Sequence, residues 1–184
     1  MAEISAYQPH KLIVAAIYDT DWRIEGVADL VRAEYGPIDH TLPEQEFSFT
    51  RYYDAEMGRG LRRTIFAVES LVDPSTLAAC KERSNRVEAR CARAPGRRSV
   101  NLDPGLLSLS RVVLATTKAS AHRIPLRDGL YAEITLLYRR GTFVPLEWTY
   151  PDFRSERFVS WLAEVRHAYH EQLRRIDPAR AWRL

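Results

Sequence analysis

The pattern of apolar and polar residues predicts that strands and helices alternate in the first part of the chain. Residues 12–17 form an apolar run typical of a buried strand, and the residues after Asp21, a favourable N-cap, follow helical spacing as far as Tyr35. Residues 38–46 are polar and predict a connection, whereas residues 47–52 alternate between apolar and polar as a half-buried strand does. The first part of the chain is therefore predicted as strand, helix, connection and strand.

The middle of the chain predicts a long helix. Asp73 and Pro74 are suited to the cap and the first position of a helix that extends to about residue 92. Cys80 and Cys91 would lie on this helix about 16 Å apart, which is too far for a disulfide. Both are therefore expected to be free thiols of a protein in a reducing, cytoplasmic compartment.

The segments on either side of this helix predict strands, with one ambiguous region. Residues 64–68 have the β-branched and aromatic composition of a strand, and a short strand is expected at residues 99–102, followed by a break at residues 103–105. Residues 106–117 fit both an alternating strand and a short helix, and we favour the helix.

The last part of the chain predicts an antiparallel meander followed by a helix. Extended runs at residues 122–126, 131–138 and 142–148 are separated by Arg-Asp-Gly and Arg-Arg-Gly, both typical of hairpin turns. An amphipathic helix is expected to begin near Ser155. Together the elements predict an α+β fold in which a mixed, largely antiparallel sheet packs with about three main helices as a single layer pair. Residues 1–184 are expected to form one domain.

Composition and charge narrow the function classes. The 184 residues are 46% apolar with only 2 Cys, which excludes a disordered chain and a disulfide scaffold. Residues 1–10 include Glu3 and no apolar core, so we expect no secretory signal, no membrane partner and a cytoplasmic protein. Paired Cys and His with metal-ligand spacing are absent from the sequence, so no metal site is expected, whereas the sequence leaves open whether the protein uses a cofactor.

The basic residues are concentrated in one segment. The chain has 27 Lys+Arg and 24 Asp+Glu, but residues 81–98 alone contain seven basic and two acidic residues. On a helix, several of these side chains would form a positive stripe able to follow a phosphate backbone. The arginines that would supply this nucleic-acid surface are Arg83, Arg86, Arg90, Arg93, Arg97 and Arg98.

Several short segments together resemble one known family. They are FSFTRYYDAEMG at residues 47–58, VNLDPG at 100–105, LATTKASAHRI at 114–124, YAEITLLY at 131–138 and WTYPDF at 148–153. This combination resembles the bacterial family grouped as domain of unknown function 4416, and the similarity extends over nearly the whole chain. Some members are labelled GTP-binding protein, but the phosphate-binding string GxxxxGK[ST] and the guanine-reading NKxD are both absent from the sequence.

Polar residues within apolar or turn-forming sequence are the candidates for chemistry. Asn101 and Asp103 could jointly hold a hydroxyl, an amine or a hydrated cation, or could simply cap the following helix or satisfy a turn. Lys118, His122 and Arg123 lie within six residues and offer three donors for an anion, with His122 able to transfer a proton near neutral pH.

Two further groups of candidates come from the meander. Glu133 is the one charge within an apolar strand, where it could act as a base or form an ion pair with a neighbouring cation. Trp148, Tyr150 and Asp152 surround a proline-fixed turn whose aromatic rings could stack on a planar ligand, although we favour the interpretation that Trp148 and Phe153 fasten the last helix to the sheet.

These candidates support three hypotheses, and whether the protein is an enzyme stays open. The preferred hypothesis is a site for an anionic, phosphorylated or nucleotide-like small molecule, with His122, Asp103 and Glu133 as catalytic residues if the site is enzymatic. The ligand would be bound by Asn101, Lys118, Arg123, Trp148, Tyr150 and Asp152. The alternatives are a nucleic-acid-binding module that uses the basic segment 81–98 and a non-catalytic interaction or scaffold protein. The small-molecule hypothesis requires these residues to converge in one pocket.

Overall fold

A computed structural model describes residues 5–178 of the chain as eight strands and four α-helices. The strands are β1 (His10–Tyr18), β2 (Ile38–Glu46), β3 (Arg62–Val72), β4 (Val100–Leu107), β5 (Arg111–Thr116), β6 (Ile124–Arg127), β7 (Leu130–Arg139) and β8 (Thr142–Pro145). The helices are α1 (Ile24–Tyr35), α2 (Asp54–Met57), α3 (Leu77–Arg90) and α4 (Glu156–Ile176), with single 3-10 turns at Pro74–Thr76 and Pro151–Arg154.

The strands form one antiparallel sheet in the order β2-β3-β1-β4-β5-β7-β6, and β8 also pairs with β7. Every pairing between neighbouring strands is antiparallel. The three longer helices, α1, α3 and α4, pack on this sheet. The predicted α+β class, with a largely antiparallel sheet and about three main helices, is confirmed.

Helices cover both faces of the sheet. Alternate residues of β1 point in opposite directions, so that Ile13 and Ala15 pack with Trp161 and Leu162 of α4. Leu12, Val14 and Ala16 pack on the other face with residues of α1 and α3. The sequence predicts a single layer pair, whereas the structure has a helical layer on each face.

The helices on both faces of the sheet explain why the apolar sequence of residues 106–117 forms strands rather than the expected helix. They contribute the end of β4 and all of β5, two strands in the middle of the sheet. A strand buried on both faces has a nearly continuous apolar sequence, and periodicity does not distinguish such a run from a buried helix. The favoured helix is therefore wrong, and so is the predicted break at residues 103–105, because β1 pairs with β4 along its whole length.

Three other expectations in the first part of the chain are wrong. Residues 38–46 are the edge strand β2, whose polar side chains are mostly exposed or half-buried. Residues 47–52 are irregular, because their aromatic side chains pack within the loop itself, as Phe47 does with Phe49 and Tyr53. Helix α1 begins at Ile24 rather than after Asp21.

The turn and cap signals in the second part of the chain are confirmed. The two-residue loops Asp128-Gly129 and Arg140-Gly141 join β6 to β7 and β7 to β8, and all four residues have positive φ. The Ser155 side chain accepts a hydrogen bond from the Phe158 N–H at the start of α4. These local rules fix the meander and its closing helix from sequence alone.

The sheet opens between β4 and β5. Pairing between these strands extends only over Gly105, Leu106 and Leu107 of β4, and the preceding residues of β4 diverge from the end of β5. The opening leaves room for side chains from both strands and from α3 to meet. None of the helices within residues 5–178 is long and apolar enough to cross a membrane.

Gly105 permits the close approach that ends this opening. A Cβ atom at residue 105 would lie 2.5 Å from Leu114 Cδ2 and 2.8 Å from the Val113 carbonyl oxygen. We expect Gly105→Ala to lower the free energy of unfolding by about 1 to 2 kcal/mol in urea titrations, because the backbone contact cannot relax. Gly26→Ala is the matched control, since its Cβ would meet only the Trp22 ring at 3.3 Å and alanine favours the helix. Equal stabilities of the two variants would contradict the expectation.

Candidate functional site

A cavity of about 400 Å³ lies at the opening between β4 and β5. Its charged lining residues comprise five cations and three carboxylates, and six aromatic rings complete the wall. The cations are Arg63, Lys81, Arg98, Lys118 and Arg123, the carboxylates Asp103, Glu133 and Asp152, and the rings Phe47, Phe49, Tyr52, Tyr53, Tyr150 and Phe153. A ligand in this cavity would therefore meet charged groups of both signs beside planar apolar surfaces.

The structure brings most of the sequence-predicted residues to this cavity. Seven of the nine small-molecule candidates line it, namely Asn101, Asp103, Lys118, Arg123, Glu133, Tyr150 and Asp152. The other two, His122 and Trp148, stack on each other with ring centroids 4.7 Å apart and lie behind Glu133. Seven of the nine residues that the small-molecule hypothesis requires in one pocket therefore converge there, whereas His122 and Trp148 do not line the cavity.

Glu133 is the most deeply buried carboxylate of the cavity, at 2% exposure. Its Oε2 accepts hydrogen bonds from Arg123 Nε at 2.7 Å and from His122 Nε2 at 3.0 Å. Its Oε1 is buried without a hydrogen-bond partner. Burial lowers the pKa of Arg123, but the hydrogen bonds to Glu133 and Tyr150 outweigh burial and leave that pKa raised. Arg123 is thus held as the counter-ion of Glu133.

His122 occupies a different position from the one expected of a proton carrier in contact with substrate. Besides its contact with Glu133, its Nδ1 lies 3.1 Å from Ser120 Oγ, and its ring is covered by Trp148. Trp148 is held in turn by the hydrogen bond from its Nε1 to the Ile134 carbonyl. His122 does not itself line the cavity and contacts it through Glu133, so its catalytic role stays a prediction.

Lys81 crosses the opening in the sheet to reach β4. Its Nζ is buried and donates to Asp103 Oδ1 at 3.0 Å, to the Leu102 carbonyl at 2.8 Å and to Glu88 Oε1 at 3.4 Å. Burial lowers the pKa of Lys81, but the charges of Asp103 and Glu88 outweigh it and raise that pKa overall.

Asn101 and Asp103 form a pair on one face of β4, as predicted, although within the strand rather than at its end. Asn101 Nδ2 donates to Asp103 Oδ2 at 2.7 Å. Burial raises the pKa of Asp103, but the charge of Lys81 and the hydrogen bonds from Lys81 and Asn101 outweigh burial and lower it. Asp103 is therefore an ionised acceptor at neutral pH.

Arg98 joins three elements around the cavity. It donates to both carboxylate oxygens of Glu56 at 2.6 and 2.8 Å, to Glu88 Oε2 at 2.6 Å and to Asn101 Oδ1 at 2.9 Å. Glu56 belongs to α2, in the segment that supplies four of the six aromatic rings. Arg98 thereby fastens the aromatic wall to α3 and to β4.

The predicted nucleic-acid stripe is largely neutralised by carboxylates. Four of its six arginines have acidic partners, and the contacts are Arg83 to Glu34 at 2.8 Å, Arg90 to Glu34 at 3.6 Å, Arg93 to Asp19 at 2.8 Å and Arg98 to Glu56 and Glu88. Arg86 and Arg97 complete the set that the sequence nominates. The excess of acidic residues in the first part of the chain supplies most of these partners, so little unbalanced positive charge is left for a phosphate backbone.

Three cavity cations lie outside the predicted small-molecule site. Lys81 and Arg98 belong to the basic segment 81–98, and no pattern in the sequence around Arg63 indicates a site. Register explains the position of Arg63, since Arg63 pairs with Ile17 and Ile17 pairs with Asn101, which places these three residues in one row across the sheet. Lys81 lies on α3 and Arg98 precedes β4, and their side chains reach the cavity through hydrogen bonds to Asp103 and Asn101. Pairing between distant strands has no local sequence signal.

The residues of the cavity do not form a metal centre. Within residues 5–178, no group of three or more His, Cys, Asp or Glu side chains is arranged to hold an ion. Glu56 is engaged by Arg98, and Asp54 lies 3.8 Å from Arg59. The two carboxylates of α2 therefore face cations.

Comparison with known proteins gives one match. The family model described as domain of unknown function (DUF4416) matches residues 8–169, which includes every residue that lines the cavity. Neither the curated proteins nor the solved structures contain a match to this chain.

Proposed function

We propose that this chain, which belongs to the domain of unknown function family DUF4416, binds a small anionic molecule with a planar, nucleotide-like body in the cavity between β4 and β5. The observation that carries the proposal is the convergence of five cations and six aromatic rings on one cavity of about 400 Å³. Ligand cavities of this size commonly combine apolar walls with a few convergent polar groups. The free thiols Cys80 and Cys91 support a cytoplasmic location.

The charges of the lining favour an anion. A carboxylate lies within hydrogen-bond or ion-pair distance of four of the cavity cations, Arg63, Arg98, Arg123 and Lys81. The fifth cation, Lys118, instead contacts the Tyr52 ring, with its Nζ 3.6 Å from the ring centroid. Lys118 is exposed at the cavity and remains available to an incoming phosphate or carboxylate.

The aromatic rings favour a planar body. Tyr52, Phe49 and Tyr150 are exposed at the cavity although they are large apolar side chains. Exposed aromatic surface that lines a concave site is typical of ligand recognition, because a planar ligand can stack on it and remove it from water. A purely inorganic anion would leave these rings uncovered.

If the protein is an enzyme, Glu133 is the group that exchanges a proton with the substrate. It reaches the cavity wall, and His122 contacts its other oxygen and can stabilise its charge. Asp103 would orient the substrate as a hydrogen-bond acceptor, since Lys81 and Asn101 hold it ionised.

The proposal predicts that anionic aromatic molecules stabilise the protein. We expect at least one of the four ribonucleoside monophosphates, or para-aminobenzoate, to raise the Tm with saturation in a thermal-shift titration, followed by calorimetry for Kd. Lys118→Met should weaken that probe about three- to tenfold, because an exposed charge-assisted contact is lost. The control is Arg139→Met, an exposed cation on β7 about 20 Å along the strand from Glu133.

The same titration separates the proposal from its alternatives. Absence of saturable binding by every probe, or equal weakening by Lys118→Met and Arg139→Met, would contradict the proposed site. Tight, salt-sensitive binding of duplex DNA that is lost on mutating Arg86 and Arg97 would instead support the nucleic-acid alternative.

A further inference from the structure

We propose that Arg63 is the oxyanion receptor of the cavity and that Glu133 receives a hydrogen-bond donor at the opposite wall, so that the ligand carries a carboxylate or phosphate and an N–H or O–H group on one planar framework. This inference rests on the proposed function and names the class of its ligand. It depends on two buried charged side chains whose hydrogen-bonding groups are incompletely used.

Arg63 lines the cavity, and one edge of its guanidinium makes no hydrogen bond. The residue is 4% exposed, and neither Nε nor Nη2 has a hydrogen-bond partner. These two nitrogens form the edge through which arginine binds a carboxylate or phosphate with two parallel hydrogen bonds. A buried donor without a hydrogen-bond partner is costly, and such a group at a cavity wall is a place where a water, an ion or a ligand group can bind.

The surroundings of Arg63 suit recognition through this edge. Its guanidinium carbon lies 4.8 Å from the centroid of the Phe153 ring and 5.8 Å from that of Phe47. Both rings also line the cavity. Aromatic rings over a guanidinium hold it in place without using its N–H groups, so the donors remain directed within the plane.

Asp152 balances the charge of Arg63 without satisfying its donors. Asp152 Oδ2 lies 2.9 Å from Arg63 Nη2, but the contact is an ion pair that lacks hydrogen-bond alignment. The carboxylate keeps the buried arginine neutralised when no ligand is bound. A ligand oxyanion at the same edge would compete with Asp152, which makes Asp152 a negative determinant of affinity.

Glu133 supplies the complementary end. Arg123 and His122 both use its Oε2, which leaves Oε1 as a buried acceptor at the cavity wall. An ionised or neutral carboxyl oxygen in this position is satisfied by a ligand N–H or O–H group. A second anion at this wall would meet like charge.

The sheet order places the two ends far apart. Arg63 is on β3 and Glu133 on β7, four strand positions away, which corresponds to about 19 Å between their backbones across a flat sheet. Both side chains extend to the same cavity, so a single small molecule lying between them would meet both. The ligand is therefore recognised as a molecule with two different ends.

Matched pairs of probes test the Arg63 end. AMP is compared with adenosine, and para-aminobenzoate with para-aminobenzamide, so that the two arms distinguish a phosphate from a carboxylate. We expect Arg63→Lys, which keeps the charge and removes the two-donor edge, to weaken the anionic probe that binds wild type about ten- to hundredfold. The neutral partner of that probe should change less than threefold.

Asp152→Asn provides a test whose expected result, tighter binding, cannot arise from a loss of folding. Removing the competing carboxylate should tighten binding of the anionic probe about three- to tenfold and leave its neutral partner unchanged. Circular dichroism and the Tm without ligand verify that each variant is folded. Weaker or unchanged binding of the anion by folded Asp152→Asn would overturn the inference.

The Glu133 end is tested by removing the donor from the probe. Glu133→Gln should weaken the probe that carries an amino group about tenfold, because a charge-assisted hydrogen bond becomes a neutral one. The N,N-dimethylated form of the same probe should bind wild type and variant equally. Equal losses for both forms would show that Glu133 acts only as a structural residue.

Failure of the inference differs from failure of the proposed function. If an anionic probe saturates wild type but Arg63→Lys weakens the anionic and neutral partners equally, the cavity binds ligands and Arg63 is not the receptor. If no probe of either arm binds wild type, the proposed function fails and the inference fails with it.

Discussion

Replacing Lys81 with Met is expected to lower the free energy of unfolding by about 3 to 5 kcal/mol, the largest effect among the substitutions proposed for this chain. The Lys81 residue is 4% exposed, and its ammonium group is shared by Asp103, Glu88 and the Leu102 carbonyl. Methionine fills a similar volume, so the loss comes from leaving two carboxylates without their common cation. Chemical denaturation monitored by fluorescence measures the difference.

The same substitution at Lys118 is the matched control. Lys118 is exposed and contacts only the Tyr52 ring among the interactions of its side chain in the described residues. Lys118→Met should therefore cost at most about 1 kcal/mol. Comparable losses at the two lysines would show that the network around Lys81 contributes no more than a surface contact.

Acid should reduce the difference between wild type and Lys81→Met. Asp103 has a lowered pKa in the folded protein, so its contribution is present above the ordinary aspartate pKa of 3.8 and is lost as the pH falls through the folded pKa. Lys81 has a raised pKa, so its contribution persists below 10.5 and is lost only as the pH rises through the higher folded value. The difference in stability is expected to be constant at neutral pH and to shrink below about pH 4.

The fold was predictable where local chemistry decides the structure. The positive φ values of Asp128-Gly129 and Arg140-Gly141 follow from residue types at hairpin turns, and the Ser155 cap follows from its hydroxyl. Prediction from local sequence fails for β5. This strand is buried on both faces, so its apolar run has no periodicity that distinguishes a strand from a helix. The prediction for the edge strand β2 fails for the opposite reason. Its side chains are mostly polar, so its sequence does not indicate that it pairs with β3.

The sequence predicted several of the residues that line the candidate site, but it missed others. Glu133 stands out in the sequence as a charge within an apolar strand, and it lies on the cavity wall. Arg63 carries no such signal, because its place in the cavity results from a register that links β3, β1 and β4. Net charge also misleads, since Arg83 and Arg93 are paired with acidic residues far away in sequence.

Replacing Arg98 with Met is expected to loosen one wall of the cavity as well as the fold. The side chain makes four hydrogen bonds that join Glu56 of α2, Glu88 of α3 and Asn101 of β4. It is a quarter exposed, so we expect a loss of about 2 to 3 kcal/mol, less than for the fully buried Lys81. Probe affinity should fall about tenfold or more, since the rings at residues 47–53 lose their anchor.

Hydrogen exchange distinguishes this local effect from general destabilisation. Amides of residues 48–61 should exchange faster in Arg98→Met, whereas those of β1 should be protected in proportion to the remaining global stability. Arg59→Met is the matched control, because Arg59 lies in the same segment but is 88% exposed and only 3.8 Å from Asp54, a contact that contributes little. If Arg98→Met raised the exchange of β1 and of residues 48–61 together while probe affinity stayed constant, Arg98 would be a general stabilising residue, and the aromatic wall would hold its position without it.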